Sequence, residues 1–183
     1  MGQPTLAPEH AAGIRKAVDS LHRPLVSYAR SLLGDLHLAQ DTAQDALLAL
    51  CRQPPAVLDR LIQPAGSADG RMKAWLLTTT RNRVLDHRRR PTPVPLTTPA
   101  ATAQPSPTPP PGERIDRAER HAALLAAVGR LPEAQREAVR LRFEHGLKYR
   151  QIAEVTGTST GQVGYLLHEA MTTLRHDLSR AAD

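Results

Sequence analysis

The stretch Leu131 to Arg175, LPEAQREAVRLRFEHGLKYRQIAEVTGTSTGQVGYLLHEAMTTLR, carries the most specific signal in this chain. Its apolar residues recur at helical spacing and divide it into three short helices, about 133 to 145, 148 to 155 and 159 to 179. Counted from Tyr149, Ala153 is the fifth residue, Gly157 the ninth and Val163 the fifteenth. A small residue at Ala153 lets two helices cross closely, Gly157 supplies the positive φ of a tight turn, and Val163 plugs the second helix onto the first. Ile152, Leu166 or Leu167, Ala170 and Leu174 complete a core. The result is a helix-turn-helix whose second helix keeps an outward face for a major groove.

Outward from this stretch, Arg114 to Arg130 reads as one more helix, ended by Gly129 to Pro132. Before it, nine of the sixteen prolines fall between Pro91 and Pro111, with Gly112 closing the run. Proline lacks the backbone donor and disfavours a helical residue before it, so residues 91–112 are expected to form a flexible, semi-extended linker. The linker separates a domain at 10–90 from one at 113–183.

In the first domain a stripe runs through Ile14, Val18, Leu21, Leu25, Tyr28 or Ala29, and Leu32, with a break or restart expected at Pro24. Gly34 and Asp35 read as a stop followed by an N-cap. Leu38, Ala39, Ala43, Ala46, Leu47 and Leu50 form the buried face of the next helix, which Pro54 and Pro55 end. Val57 to Ile62 is compatible with a short helical turn, and a loop from Pro64 to Gly70 follows. A long helix is expected over Arg71 to Arg90, with Met72, Trp75, Leu76, Thr79 and Val84 inward. Strand signals are absent, so the fold class is all-α: two small helical domains joined by a Pro-rich linker, the second containing the helix-turn-helix.

Composition bounds the chemistry. Only 3% of the 183 residues are aromatic while 40% are hydrophobic, so the cores rest on Leu, Ala, Val and Ile. The formal charge of +6 and the pI near 10.2 favour an anionic partner. That charge is local: residues 71–90 hold seven basic residues against Asp86, a net charge equal to that of the whole chain. Cys51 is the only cysteine, which excludes an intrachain disulfide and fits a reducing cytosol; it reads as a small buried apolar residue on a helix. Neither a signal peptide nor a membrane span is evident, so a cytoplasmic protein without membrane insertion is expected.

An enzyme reading finds no support in the residues. His168 and Glu169 begin like the helical zinc motif, but Thr172 stands where its second histidine is needed. There is no Gly-rich phosphate loop before a helix and no Gly-x-Ser-x-Gly elbow. No catalytic residue, metal site or cofactor is expected.

Leu131 to Arg175 resembles region 4 of the sigma-70 family of RNA polymerase sigma factors. Leu32 to Leu50, LLGDLHLAQDTAQDALLAL, and Arg71 to Arg90, RMKAWLLTTTRNRVLDHRRR, are similar to region 2 of its extracytoplasmic-function (ECF) subgroup. The resemblance implies an alternative sigma factor that binds core RNA polymerase, recognises promoter DNA and melts it for transcription initiation. It implies polymerase contacts at Asp41, Gln44 and Asp45. It implies contacts to the minus-ten element at Arg71, Lys73, Arg81, Asn82, Arg83, Arg88, Arg89 and Arg90. Trp75 matches a family position near melted DNA, although a lone Trp is more often core. In the helix-turn-helix, Ser159, Thr160, Gln162, Tyr165 and His168 are the candidate DNA contacts.

The family pattern Val-Lys-Ser-Arg-Leu-x-Arg-Ala is here Val163 to Ala170, with Gly164, Leu166 and Glu169 at three basic positions. Thr79 and Thr80 replace an apolar and a small residue in the region 2 helix. The resemblance extends to an inhibitory anti-sigma factor, which no residue here identifies. A stand-alone helix-turn-helix regulator accounts for 131–175 but leaves 14–90 unexplained, and a protein-interaction module is the other alternative.

Overall fold

The computed structural model describes residues 7–62, 68–89 and 111–180, and among them every regular element is helical. Contacts gather the chain into two compact units. The first holds α1 (Pro8–Leu33), α2 (Leu36–Cys51), α3 (Pro55–Ile62) and α4 (Ala68–Arg89). The second holds α5 (Pro111–Arg130), α6 (Glu133–Val139) with a π-helical continuation Arg140–Glu144, the residues Tyr149–Ala153 of α7 (Tyr149–Thr156), and α8 (Thr160–Arg180).

α1, α2 and α4 pack on one another as a three-helix bundle, with α3 laid against α1 and α4. The α2 face is made of small residues, Ala39, Thr42, Ala43 and Ala46, all fully buried, with Leu50 closing the seam. Such residues carry little side chain between the axes and permit close helix approach. Ala29 and Val84 meet Ala39 there, and Val26, Leu32 and Leu33 pack around them. Leu38, expected inside, is only half-buried, and Thr42 takes a core place. Its hydroxyl donates to the Leu38 carbonyl at 2.7 Å, which removes the penalty of burying it.

α1 does not break at Pro24. The helix is continuous through it, because Leu25, Tyr28 and Ala29, buried to 1% exposure or less, hold the following turn into the bundle. The cost of one lost backbone bond is outweighed by burial of about 1.5–3 kcal/mol per large apolar side chain. α1 ends at Gly34 (φ +78°), whose N–H donates to the Arg30 carbonyl at 2.8 Å. Asp35 then caps α2, its Oδ1 accepting from the Leu38 N–H at 2.8 Å. Both features match the sequence expectation.

Two prolines after α2 do more than end it. Pro55 opens α3, a place where its missing donor costs nothing, and the expected short turn is a full eight-residue helix. α3 is held to α1 at two points. His10, 5% exposed, lies 2.7 Å from Asp59 through Nε2, and Gly13 leaves room for Ile62. A Cβ at Gly13 would stand 2.7–2.9 Å from three Ile62 side-chain atoms.

α4 begins at Ala68, three residues before its expected start. Residues 63–67, Arg90 and residues 91–110 lie outside the described residues, while Pro111 and Gly112, expected in the linker, open α5, where a proline in the first turn loses no helical bond. The core face of α4 is Ala74, Leu76, Leu77, Thr80 and Val84. Met72, Trp75 and Thr79, expected inside, are half-buried. Thr78, Thr79 and Thr80 donate in succession to the carbonyls of Ala74, Trp75 and Leu76 at 2.8–2.9 Å. The buried Thr80 hydroxyl is thereby satisfied.

In the second unit α8 packs on α5 and α6. Arg130 at the end of α5 donates to Asp177 of α8 at 2.9 Å, and this bond holds the Asp177 carboxyl below the usual carboxylate range. Gly157 takes φ +71°, as the turn requires, and Ala153, Val163, Leu167, Ala170 and Leu174 are buried, with Leu167 and not Leu166 in the core. The expected helix over 133–145 widens into a π turn at Arg140, where the His145 N–H reaches back to the Arg140 carbonyl at 3.1 Å.

Substituting Gly13→Ala is expected to destabilise the chain by about 1–3 kcal/mol through overpacking. Urea denaturation in an Ile62→Ala background checks the cause, since the penalty for Gly13→Ala should largely vanish there.

Candidate nucleic-acid and protein interfaces

Burial of the alanine seam decides what α2 turns outward. His37, Asp41, Gln44, Leu48 and Cys51 alternate in steps of four and three, which places them on one line along the helix, and all are exposed. Cys51, read from sequence as buried, is exposed because the buried face of α2 ends at Leu50, one position out of phase with it. Leu48, 51% exposed, sits amid polar neighbours, a large apolar side chain of the kind that anchors protein interfaces. Sequence reasoning named Asp41, Gln44 and Asp45 but not Leu48; the four-three spacing was the available signal.

Asp45 stands at the edge of this line. Its Oδ2 lies 3.8 Å from Nη1 of Arg83 on α4, both side chains about half exposed. Two residues assigned to different partners are therefore neighbours. An exposed pair of this kind is worth ~0–1 kcal/mol, so either member is available to a stronger partner.

On α4, Arg71, Trp75, Thr78, Asn82 and Arg89 follow one another at steps that keep one face. Trp75 is half-buried and two turns before the exposed Asn82. The indole thus belongs to the outward face that carries Asn82 as well as to the packing beneath it. Lys73 is half-buried, and desolvation pushes its ammonium below the ordinary lysine value. Arg89 lies 3.9 Å from Asp86. Arg88 donates from Nη2 to the Leu32 carbonyl at 2.6 Å, tying the end of α4 to the end of α1. Arg81 flanks the line and is half-buried.

In the second unit Thr160, Gln162, Tyr165 and His168 are exposed on the first turns of α8, with Tyr165 59% exposed. Ser159 is the helix N-cap, its Oγ accepting from the Gln162 N–H at 3.1 Å. Beside α8, Arg142, Lys148 and Arg150 are exposed around the start of α7. Arg142 donates to the Leu147 carbonyl at 3.0 Å, and its guanidinium lies 5.7 Å from the centroid of the Tyr149 ring. Sequence reasoning looked for cations on α8 and passed over these three.

No group of histidine, cysteine and carboxylate side chains among the described residues is disposed to hold a metal ion. No described helix is long and apolar enough to cross a membrane.

Comparison with known proteins gives the arrangement a family. The model for sigma-70 region 2 matches residues 17–92, and that for sigma-70 region 4 matches residues 121–174. A probable RNA polymerase sigma factor, RfaY of Xanthomonas campestris pv. campestris, is 29% identical over 96% of this chain and 44% of its own length. The ECF RNA polymerase sigma factor SigL of Mycobacterium tuberculosis is 29% identical over 92% of this chain and 90% of its own. BldN of Streptomyces coelicolor, an ECF sigma factor, is 35% identical over 55% of this chain and 39% of its own. The chain thus spans less than half of RfaY and BldN but nearly all of SigL.

Among solved structures, the sigma factor RpoE in complex with the anti-sigma factor NepR from Bartonella quintana superposes with a TM-score of 0.59 at 20% identity, over 90% of this chain and 96% of RpoE. CnrH in complex with the cytosolic domain of CnrY gives 0.56 at 23% identity, over 94% of each chain. At these identities the likeness concerns the fold. The chain belongs to the sigma-70 family, in its extracytoplasmic-function group. The region 2 match accounts for the residues that a stand-alone helix-turn-helix regulator leaves unexplained.

Arg88 and Asn82 separate anchoring from surface exposure. Arg88→Ala is expected to lower stability by about 1 kcal/mol through the lost bond to Leu32, and Asn82→Ala to stay within about 0.5 kcal/mol of the parent, both read by urea denaturation.

Proposed function

We propose that this chain is an alternative sigma factor that joins core RNA polymerase in the cytoplasm, directs it to a set of promoters and helps open them, without being a catalyst itself. The observation that carries this reading is the presence in one chain, in that order, of a region 2 match and a region 4 match. In this reading the outward line of α2 is the polymerase surface. Asp41, Gln44 and Asp45 offer acceptors to cationic side chains, and Leu48 supplies the apolar anchor.

The α4 face then meets the minus-ten region. Trp75 offers a ring on which an extruded base can stack, Asn82 an amide for a base edge, and Arg71, Lys73, Arg81, Arg83, Arg89 and Arg90 charge for phosphates. Arg88 contributes to the same field while it braces the helix. Capture of unstacked bases on this face offsets the cost of separating strands. Thr160, Gln162, Tyr165 and His168 address duplex DNA upstream, with Ser159 shaping the start of their helix. Residues 10–90 and 113–183 act as the two functional domains and the Pro-rich run 91–112, whose last two residues open α5, as the tether between them. An anti-sigma factor that covers these surfaces is a further partner in this reading, and no cofactor or metal takes part.

In vitro transcription with core polymerase and a promoter pool, with start sites mapped, tests the proposal. New start sites that require the chain are expected; their absence at low salt overturns it. Asp41→Arg and Leu48→Ala should each weaken association with core polymerase by roughly tenfold, measured by competition binding, while leaving the urea midpoint unchanged.

A further inference from the structure

The helix-turn-helix of this chain turns an unusual surface outward. Gln162 and Tyr165 are successive neighbours on the exposed side of α8, one turn apart, and no lysine or arginine lies between Thr160 and Ala170. Position 164 is a glycine whose place for a Cβ stands 3.8 Å from Cε2 of Tyr149. The start of α7, with Arg142 held on the Tyr149 ring, therefore abuts the second turn of α8. Along the first half of the recognition helix, charge that can hold a phosphate backbone lies beside the helix and not on it.

This division constrains what the helix can read. The commonest contact that specifies guanine in the major groove is an Arg or Lys bonding N7 and O6 together, and the outward face between Thr160 and Ala170 has neither residue. An amide such as that of Gln162 pairs with N6 and N7 of adenine, and the flat apolar face of Tyr165, 59% exposed, suits the methyl group of thymine. Residues at the N-terminal end of a recognition helix are those that reach base edges.

We propose that Gln162 and Tyr165 set the base preference of the upstream promoter element, selecting neighbouring A·T pairs without specifying guanine, while Arg142, Lys148 and Arg150 supply sequence-independent grip. The inference rests on the sigma-factor reading and adds to it the identity of the bases and of the side chains that choose them.

The test is selection in transcription. The full chain is assembled with core polymerase and offered templates that share one mapped minus-ten element and carry a randomised upstream segment; transcribed templates are sequenced. Enrichment of A·T pairs at adjacent positions is expected, by about tenfold over G·C at each. Gln162→Ala should erase the preference for adenine and Tyr165→Ser that for thymine, each at its own position, whereas Tyr165→Phe should keep it. Arg142→Ala should lower output from all templates alike and reduce the dependence of binding on log salt by about one unit. Circular dichroism of each variant confirms that α8 is intact.

Enrichment of guanine, or a preference unchanged in both Gln162→Ala and Tyr165→Ser, overturns the inference and leaves the sigma-factor reading standing, as does initiation with no upstream preference at all. Failure of every template to support initiation overturns both.

Discussion

The N-terminal unit depends on one seam. Ala39, Thr42, Ala43 and Ala46 form the α2 side of the contact with α1 and α4, and Tyr28, Leu50, Leu76 and Leu77 are buried with them. A chain with few aromatic residues has little else with which to build a core. Because the seam occupies one side of α2 throughout its length, the rotation of the helix is set, and the line from His37 to Cys51 must face away. The acidic and apolar character of that line is then free to serve a partner. A single larger residue in the seam would push α2 outward and change the presentation of both α2 and α4, which is why packing and function are inseparable here.

The turn between α7 and α8 rests on glycine. Gly157 reverses the chain at φ +71°, Val163 is buried six residues later, and at Gly164 the surface of α8 lies against Tyr149, where an added Cβ would make ordinary contact at 3.8 Å. A side chain at 164 would contact the ring on which Arg142 rests. The stretch Thr160 to Ala170 of α8, without Lys or Arg, and the exposed cations Arg142, Lys148 and Arg150 around the start of α7 are thus two views of one arrangement.

Much of this was legible before the structure. Periodicity located the helices, Gly34 and Asp35 located a boundary, and the spacing of Ala153, Gly157 and Val163 located the turn, because each of these signals is local. What was missed depended on neighbours distant in sequence. Pro24 looked like a break, yet burial of Leu25, Tyr28 and Ala29 by other helices carries α1 through it. Trp75 looked like core by residue type, but Leu76 and Leu77 fill that space and leave the indole half outside. Cys51 looked apolar and therefore buried; the phase of α2 turns it outward. The π turn after Val139 has no marker that periodicity would detect. Among candidate contacts, the pairing of Asp45 with Arg83 and the tie from Arg88 to Leu32 join residues far apart in sequence, and the capping role of Ser159 depends on where α8 begins.

The central claim is that α2 spends one face on the bundle and keeps the other for the transcription machinery. Hydrogen exchange of the full chain, free and bound to core polymerase, measures this most directly. Added protection across Leu36 to Cys51 upon binding is the expected result. Unchanged exchange in α2, with protection appearing only in α7 and α8, would contradict the account.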